Sequence, residues 1–183
     1  VRLSRGLGDV YKRQDIMNDL MSLGMHRLWK KRFVETLNLK KNEIILDVGS
    51  GSGDIASEIL NENLSTSLYL LDLNEEMLLE GKKRLKKEKN IKYFIGNAEK
   101  LNFENNFFDK YTISFCLRNV TEYLLSIKEA YRVLKPGGKY CCLEFSTPKS
   151  SLISSSYKIY KSKILPLLGC LLYTSPSPRD NRT

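Results

Sequence analysis

Three glycines that alternate with small polar residues, Gly49, Gly51 and Gly53, have the spacing of a ligand-binding turn. The apolar run Ile44–Val48 before them predicts a buried strand, and the apolar spacing that starts at Ile55 predicts a helix. Glycines at alternate positions permit a sharp turn and let a ligand approach main-chain N–H groups at a helix N-terminus. Loops are glycine-rich for many reasons, so the run alone leaves a ligand site and an ordinary turn equally open.

A carboxylate follows the next predicted strand. The apolar run 68–71 ends in Asp72, roughly 20 residues beyond the glycine turn, a spacing at which an acidic side chain accepts hydrogen bonds from a ribose diol. Asp72 could also serve simply as the N-cap of the helix that follows. The glycine turn and Asp72 together resemble the class I methyltransferases that bind S-adenosylmethionine.

The two ends of the chain are related to each other at the level of their codons. Residues 4–14 can be back-translated so that the reverse complement, read one base out of frame, encodes residues 170–180. Two unrelated segments would not be complementary throughout, and a sequencing adapter read from both sides explains the pattern. We therefore predict that 1–14 and 170–183 are non-native and exclude them from the reasoning about the fold.

The modest basic excess is explained by ordinary composition rather than by binding of nucleic acid or an anionic membrane surface. The predicted foreign ends supply +4 of the net charge of +9, and the remaining excess is mostly lysine without a dense basic patch interleaved with aromatic residues. With Cys170 set aside, three cysteines remain. Together with the single histidine, His26, they lack the spacing of metal ligands, so no metal site is expected. The sequence contains no run of about 18 apolar residues, so it predicts no membrane-spanning helix.

The remaining chain predicts an α/β fold built on a doubly wound, mostly parallel sheet. A helical region, 15–42, precedes the domain 43–169. Its predicted strands cover 44–48, 68–72, 91–95, 110–115 and 140–145. Predicted helices begin after Gly53 and at the N-cap Asn74, and a third has the apolar stripe Leu124, Ile127, Tyr131 and Leu134. Residues 135–138 form a Pro-Gly-Gly turn, and residues 150–168 predict a further helix.

Two motifs narrow the resemblance within the class I methyltransferases. Leu-Arg-Asn-Val-Thr at 117–121 and Met-Asn-Asp-Leu-Met-Ser-Leu-Gly-Met-His-Arg-Leu-Trp-Lys at 17–30 resemble those of the ubiquinone/menaquinone biosynthesis C-methyltransferases. From physics alone, Arg118 and Asn119 could equally form a salt bridge and a cap at a helix start. Carboxyl ends of central strands are, however, where open α/β sheets place ligands.

The resemblance implies a cofactor, a substrate and a set of site residues. The cofactor is S-adenosylmethionine, and the substrate is a polyprenyl quinol, either demethylmenaquinol or a polyprenyl methoxybenzoquinol. Arg118 would stabilise a developing quinolate oxygen with Asn119 orienting it, and His26 is a candidate general base because imidazole is the side chain most suited to that role near neutral pH. The implied cofactor contacts are Asp47, Gly49, Gly51, Ser52, Asp72, Asn97, Ala98 and Ser114. For Asn97 a simple Asx turn is an equally open interpretation.

The resemblance also implies how the protein works in the cell. Region 15–42 would help to cover the substrate, and a bacterial, cytoplasmic enzyme would contact the membrane peripherally to reach its quinol. A homodimer is compatible with the sequence, which does not specify the oligomeric state. Family members continue with a further helix and a final antiparallel strand pair, so we expect this chain to lack the last edge strands and to turn over weakly or not at all. A methyltransferase for another small molecule and a non-catalytic dinucleotide-binding module are the alternatives.

Overall fold

A computed structural model describes residues 25–62 and 64–144, and its core is a parallel sheet. The strands are β1 Ile44–Val48, β2 Ser67–Asp72, β3 Ile91–Ile95, β4 Phe108–Ser114 and β5 Leu134–Leu143. The helices are α1 Met25–Thr36, α2 Asp54–Asn61, α3 Glu75–Arg84 and α4 Tyr123–Val133, with a 3₁₀ turn at Leu117–Asn119. Within the described residues the strands pair in the order β3-β2-β1-β4-β5, every pair parallel. The predicted α/β fold is confirmed.

β1 and β2, in the middle of the sheet, each contribute to two separate cores. Along β1, Ile45 packs with α1, α2 and α3, whereas Leu46 and Val48 pack on the opposite face with α4. Adjacent strand residues point to opposite faces, so a strand buried on both sides must be apolar throughout. This is why the apolar run 44–48 located β1 with its boundaries. The bounds predicted for β3 are also correct, although this edge strand has no buried residue.

The start of α3 also follows the prediction. Asn74 is the N-cap, and its side-chain oxygen accepts hydrogen bonds from the main-chain N–H groups of Glu76 and Met77 at 3.0 and 3.2 Å. Two acids begin the helix and three basic residues end it, in keeping with the helix dipole. Local sequence therefore indicates both ends of this helix.

The segment 101–109, which precedes the fourth predicted strand, is partly core. Phe103, Phe107 and Phe108 pack against Tyr69 and Phe94, with ring centroids 4.9–6.0 Å apart, mostly edge to face. Phe108 is fully buried and already belongs to β4, so that strand starts two residues earlier than predicted. These rings cover the sheet face where the described chain has no helix between β3 and β4.

The apolar stripe predicted for α4 is on the wrong face. Leu124, Ile127 and Tyr131 are exposed, and Leu134 is the first residue of β5. The buried residues of the helix are instead Ser126, Ala130 and Val133. This spacing is also helical, and small side chains let the helix lie close to the sheet. Periodicity alone could not distinguish the two stripes.

The residues of the predicted Pro-Gly-Gly turn lie within the bounds of β5. β5 already pairs with β4 at Leu134, opposite Phe108, and the register then shifts so that Lys139 lies opposite Lys110. The Pro-Gly-Gly residues are thus a bulge within the strand bounds, with Gly137 at φ +80°. The predicted segments 15–24 and 145–169 lie outside the described residues.

Membrane crossing can be assessed for the described residues. None of the helices in 25–62 and 64–144 has the length and apolar character needed to span a bilayer.

Candidate active site

The carboxyl ends of β1, β2, β3 and β4 surround a cleft of about 400 Å³. Open parallel sheets bind ligands at this edge, where the direction of chain winding reverses between β1 and β4. Most of the predicted site residues meet here. Those that line the cleft are Gly49, Gly51, Ser52, Asp72, Asn97, Ala98, Ser114, Arg118 and Asn119.

The glycine loop is fixed to the neighbouring strand. The main-chain N–H groups of Gly49 and Ser50 both donate to the carbonyl of Leu71, at 2.8 and 3.1 Å. Gly49 has φ +65°, and a Cβ built on it would lie 2.2 Å from Sγ of Cys116. Glycine is therefore required here both by the backbone conformation and by the space available.

Asp72 is held by two main-chain donors. Its Oδ2 accepts from the N–H of Gly51 and its Oδ1 from the N–H of Asn74, both at 2.8 Å. The N-cap of α3 is Asn74, so the alternative role of Asp72 as that cap is wrong. A carboxylate has further lone pairs on both oxygens, which leaves Asp72 able to accept from a diol in the cleft.

Asn97 combines the two roles that the sequence left open. Its Oδ1 accepts from the N–H of Glu99 at 2.9 Å, which is an Asx turn, and the residue also lines the cleft. The adjacent Ala98 is buried. The turn thus sets the orientation of an amide at the end of β3 where it can face a ligand.

Asp47 lies beneath the glycine loop and is not among the described residues that line the cleft. It is 1% exposed, its Oδ1 accepts from the hydroxyl of Thr112 at 2.8 Å, and its Oδ2 has no hydrogen-bond partner. Burial, reinforced by Asp72 and Asp54, raises the pKa of Asp47 to about 7, although the Thr112 hydrogen bond opposes the shift. Asp47 is therefore not placed to contact a ligand directly. Its role in the site would be to support the glycine loop.

On the other side of the cleft, Arg118 lies on the turn after β4. Its guanidinium is 3.2 Å from the carboxylate of Glu144, which follows β5. Glu99 accepts from the main-chain N–H groups of Thr121 and Glu122, at 2.9 and 3.1 Å, and so ties this turn to the segment after β3. The salt bridge that physics alone allowed for Arg118 is present, whereas Asn119 does not cap α4.

Two residues between β4 and this turn have distinctive properties. Phe115 has φ +52°, a conformation that a bulky residue rarely adopts and that directs the chain out of the strand towards the turn. Burial, together with Asp72 and Asp47, raises the pKa of Cys116 to about 11, so its thiol stays protonated at neutral pH. Cys116 is consequently unsuited to act as a nucleophile.

The structure does not bring His26 to the cleft. His26 is 3% exposed on α1 and is not among the described residues that line the cleft. Its neighbour one turn along the helix, Lys30, does line it, as does Asp54 at the start of α2. The assignment of His26 as a base therefore stays a prediction without geometric support.

Sequence reasoning missed four charged residues of the site: Lys30, Asp54, Glu99 and Glu144. The register offered a signal for Glu144, because Leu143 pairs with Ser114 and so places the next residue beside the turn after β4. The pairing of Lys30 with Asp54 joins elements 24 residues apart and has no local signal.

The site has the features that S-adenosylmethionine requires. The missing side chain of Gly51, whose built Cβ would lie 3.3 Å from Cε of Met77, leaves main chain facing the cleft beside the carboxylate of Asp72. The volume is in the range of small-molecule sites. The glycine loop, Asp72 and Asn97 would hold the cofactor along the ends of β1, β2 and β3.

Fold and site together define a class I S-adenosylmethionine-dependent methyltransferase. A SAM-dependent methyltransferase from Aquifex aeolicus has the same fold, with a TM-score of 0.58 and 21% identity over 67% of this chain and 66% of that one. Phosphoethanolamine N-methyltransferase 2 of Haemonchus contortus, solved with S-adenosyl-L-methionine, gives a TM-score of 0.61 and 28% identity over 73% of this chain and 31% of that one.

The chain belongs to the ubiE/COQ5 methyltransferase family, whose sequence model matches residues 3–177. The ubiquinone/menaquinone biosynthesis C-methyltransferase UbiE of Rickettsia bellii is 48% identical over 172 residues, which cover 90% of this chain and 68% of the relative. The UbiE of Rickettsia prowazekii is 48% identical over 171 residues, with 89% and 68% covered. The family resemblance seen in the motifs is thereby confirmed, and the cofactor of the family is S-adenosylmethionine.

Proposed function

We propose that this protein transfers the methyl group of S-adenosylmethionine to a ring carbon of a polyprenyl quinol. The names of its relatives refer to ubiquinone and menaquinone biosynthesis. The substrates that the family resemblance implies are demethylmenaquinol and a 2-polyprenyl-6-methoxy-1,4-benzoquinol. One observation carries the proposal: Arg118 and Asn119 line the same cleft as the glycine loop and Asp72. The motif typical of the quinol enzymes therefore faces the space where the cofactor would lie.

The chemistry asks little of the protein beyond positioning and charge. A sulfonium methyl is a strong electrophile, and the acceptor carbon becomes nucleophilic when a quinol hydroxyl loses its proton. Arg118 is always protonated, so it would stabilise the resulting oxygen anion rather than remove the proton. Its side chain is 42% exposed, which leaves it accessible from the cleft even while it contacts Glu144. Asn119 would orient the same oxygen.

Two substitutions test cofactor binding and methyl transfer separately. Asp72→Ala should weaken binding of S-adenosylmethionine at least tenfold, because it removes a charged acceptor and the partner of two main-chain N–H groups. Arg118→Met should leave that affinity within about twofold but lower methyl transfer roughly 100-fold, the usual size of a lost oxyanion contact. Calorimetry measures the first effect. Transfer of a radiolabelled methyl group to reduced demethylmenaquinol with a short isoprenoid tail measures the second.

Lys128→Met, an exposed position on α4, is the matched control for charge removal and should change neither quantity. The comparison is between variants of this chain. A folded protein that does not bind S-adenosylmethionine would contradict the methyltransferase proposal. Binding combined with methylation of other small molecules but not of quinols would contradict the substrate.

Further features of the proposal concern the surroundings of the site. Because polyprenyl quinols reside in membranes, we propose peripheral contact between the enzyme and the bilayer, which sedimentation with vesicles containing anionic lipids would test. Helical region 15–42 would cover the substrate, and the remaining domain would extend over 43–169. Residues 1–14 and 170–183 are proposed to be foreign, and the genomic copy of the gene should then lack their codons.

A further inference from the structure

Lys30 is a buried cation at the edge of the cleft. The residue is 8% exposed, and its ammonium donates to Oδ2 of Asp54. Burying an ammonium is costly unless partners replace the lost water. Within the described part of the chain, Asp54 is the hydrogen-bond partner of this group, although an ammonium has three N–H donors. Lys30 thus keeps donors for a further acceptor.

The negative charge of Asp54 is balanced by two cations, of which Lys30 is one. Its other oxygen accepts from the guanidinium of Arg84 at the end of α3. Burial would raise the pKa of Asp54, but Lys30 and Arg84 outweigh this effect and lower the pKa below its usual value. The carboxylate therefore stays ionised and is shared between two cations, an arrangement that fixes Lys30 in place without using all of its positive charge.

The position of Lys30 relates it to the cofactor. Among the described residues that line the cleft, the cationic ones are Lys30 and Arg118, and Arg118 lies on the substrate side beside Glu144. The acids on the same lining are Asp54, Asp72 and Glu99. An anionic group entering this cleft near the glycine loop would be repelled by these acids unless a cation compensated them.

S-adenosylmethionine carries such an anionic group. Beyond the adenosine, its amino-acid portion has a carboxylate as well as an ammonium and the sulfonium. We propose that the ammonium of Lys30 binds this carboxylate, with Asp54 and Arg84 holding the lysine in position. The inference rests on the proposed cofactor and adds a recognition residue from α1, the helix that leads into the domain.

The test compares one protein substitution with one ligand deletion. Calorimetry on the full chain measures binding of S-adenosylmethionine and of decarboxylated S-adenosylmethionine, which lacks only the carboxylate, to wild type and to Lys30→Met. Loss of a charge-assisted contact should weaken binding of S-adenosylmethionine by roughly 10- to 100-fold in the variant. Binding of the decarboxylated ligand should change by less than about threefold.

Two further variants keep the result interpretable. Lys31→Met, on the same helix but exposed, should leave both affinities unchanged, and Lys30→Arg should keep the preference for the carboxylate because it keeps the charge. Equal weakening of both ligands in Lys30→Met, with unchanged circular dichroism, would overturn the inference and reduce Lys30 to a support of the fold. If wild type bound neither ligand, the proposed cofactor site itself would fail.

Discussion

The two sides of the cleft are constructed differently. On the cofactor side, formed by the glycine loop and Asp72, the key groups are half-buried or buried and are fixed by main-chain hydrogen bonds to β2 and α3. On the substrate side, the turn at 117–121 is half-buried or exposed and is held largely through carboxylates of Glu99 and Glu144.

This difference matches what each side has to recognise. The cofactor side binds a ligand of fixed shape, so rigid main-chain donors set by the sheet are sufficient. Under the proposed function, the substrate side would stabilise charge that develops during the reaction, and charged side chains suit that task. The comparison predicts that damage on the cofactor side is seen first in stability and binding, and damage on the substrate side first in rate.

Gly49→Ala should produce the largest effect. The new Cβ would meet Sγ of Cys116, and φ +65° is unfavourable for alanine, so the free energy of unfolding should fall by about 2–4 kcal/mol. Gly137→Ala is the matched control, since Gly137 also has a positive φ, +80°, but nothing within 4 Å of its built Cβ. Urea denaturation should show a loss of only about 1 kcal/mol there. Equal losses in both variants would mean that the contact with Cys116 is not tight.

Glu144→Gln should have an intermediate effect and act on rate. The substitution keeps the shape but removes the charge that faces Arg118, so we expect a roughly tenfold lower kcat while the Kd for S-adenosylmethionine stays within about twofold. The guanidinium is partly exposed, so salt should reduce the difference between wild type and variant. A change in cofactor affinity with unchanged kcat would reverse the assignment of the two sides.

Asp47→Asn should have the smallest effect, and one that depends on pH. Because the pKa of Asp47 is raised to about 7 in the folded protein, the folded state retains a proton that the unfolded chain has lost between about pH 4 and 7. Wild type therefore loses stability as pH rises through this window and levels off above it. The amide of the variant carries no charge, so unfolding at pH 6 and pH 8 should show the variant gaining on wild type by about 1 kcal/mol. A pH-independent difference would contradict the shifted pKa.

Sequence alone was sufficient where local pattern and sheet geometry coincide. The bounds of β1 were predicted because a strand buried on both faces is mostly apolar, and Asp72 lies in the cleft because parallel strands bring their carboxyl ends to one edge. The bounds predicted for the edge strand β3 are also correct, and Ser114, which the family resemblance implied, lines the same cleft. The N-cap at Asn74 is equally local.

Prediction failed where the structure depends on packing or on pairs of residues that are far apart in the sequence. The stripe of Leu124, Ile127 and Tyr131 is as periodic as the buried one, and only contact with the sheet selects the small residues of α4 for burial. Lys30 with Asp54 and Arg118 with Glu144 join positions 24 and 26 residues apart, which no local pattern specifies. For His26, helical position gave no information on which way the side chain would face.

The order of the strands has a consequence for folding during synthesis. Gly51 and its hydrogen-bond partner Asp72 are 21 residues apart in the sequence, whereas Asp47 and its hydrogen-bond partner Thr112 are 65 residues apart. β1 and β2 can thus pair before β4 has left the ribosome, and one edge of β1 stays open until β4 arrives. The carboxylate that we propose binds the ribose would then take up its place before the turn that carries Arg118 joins the sheet.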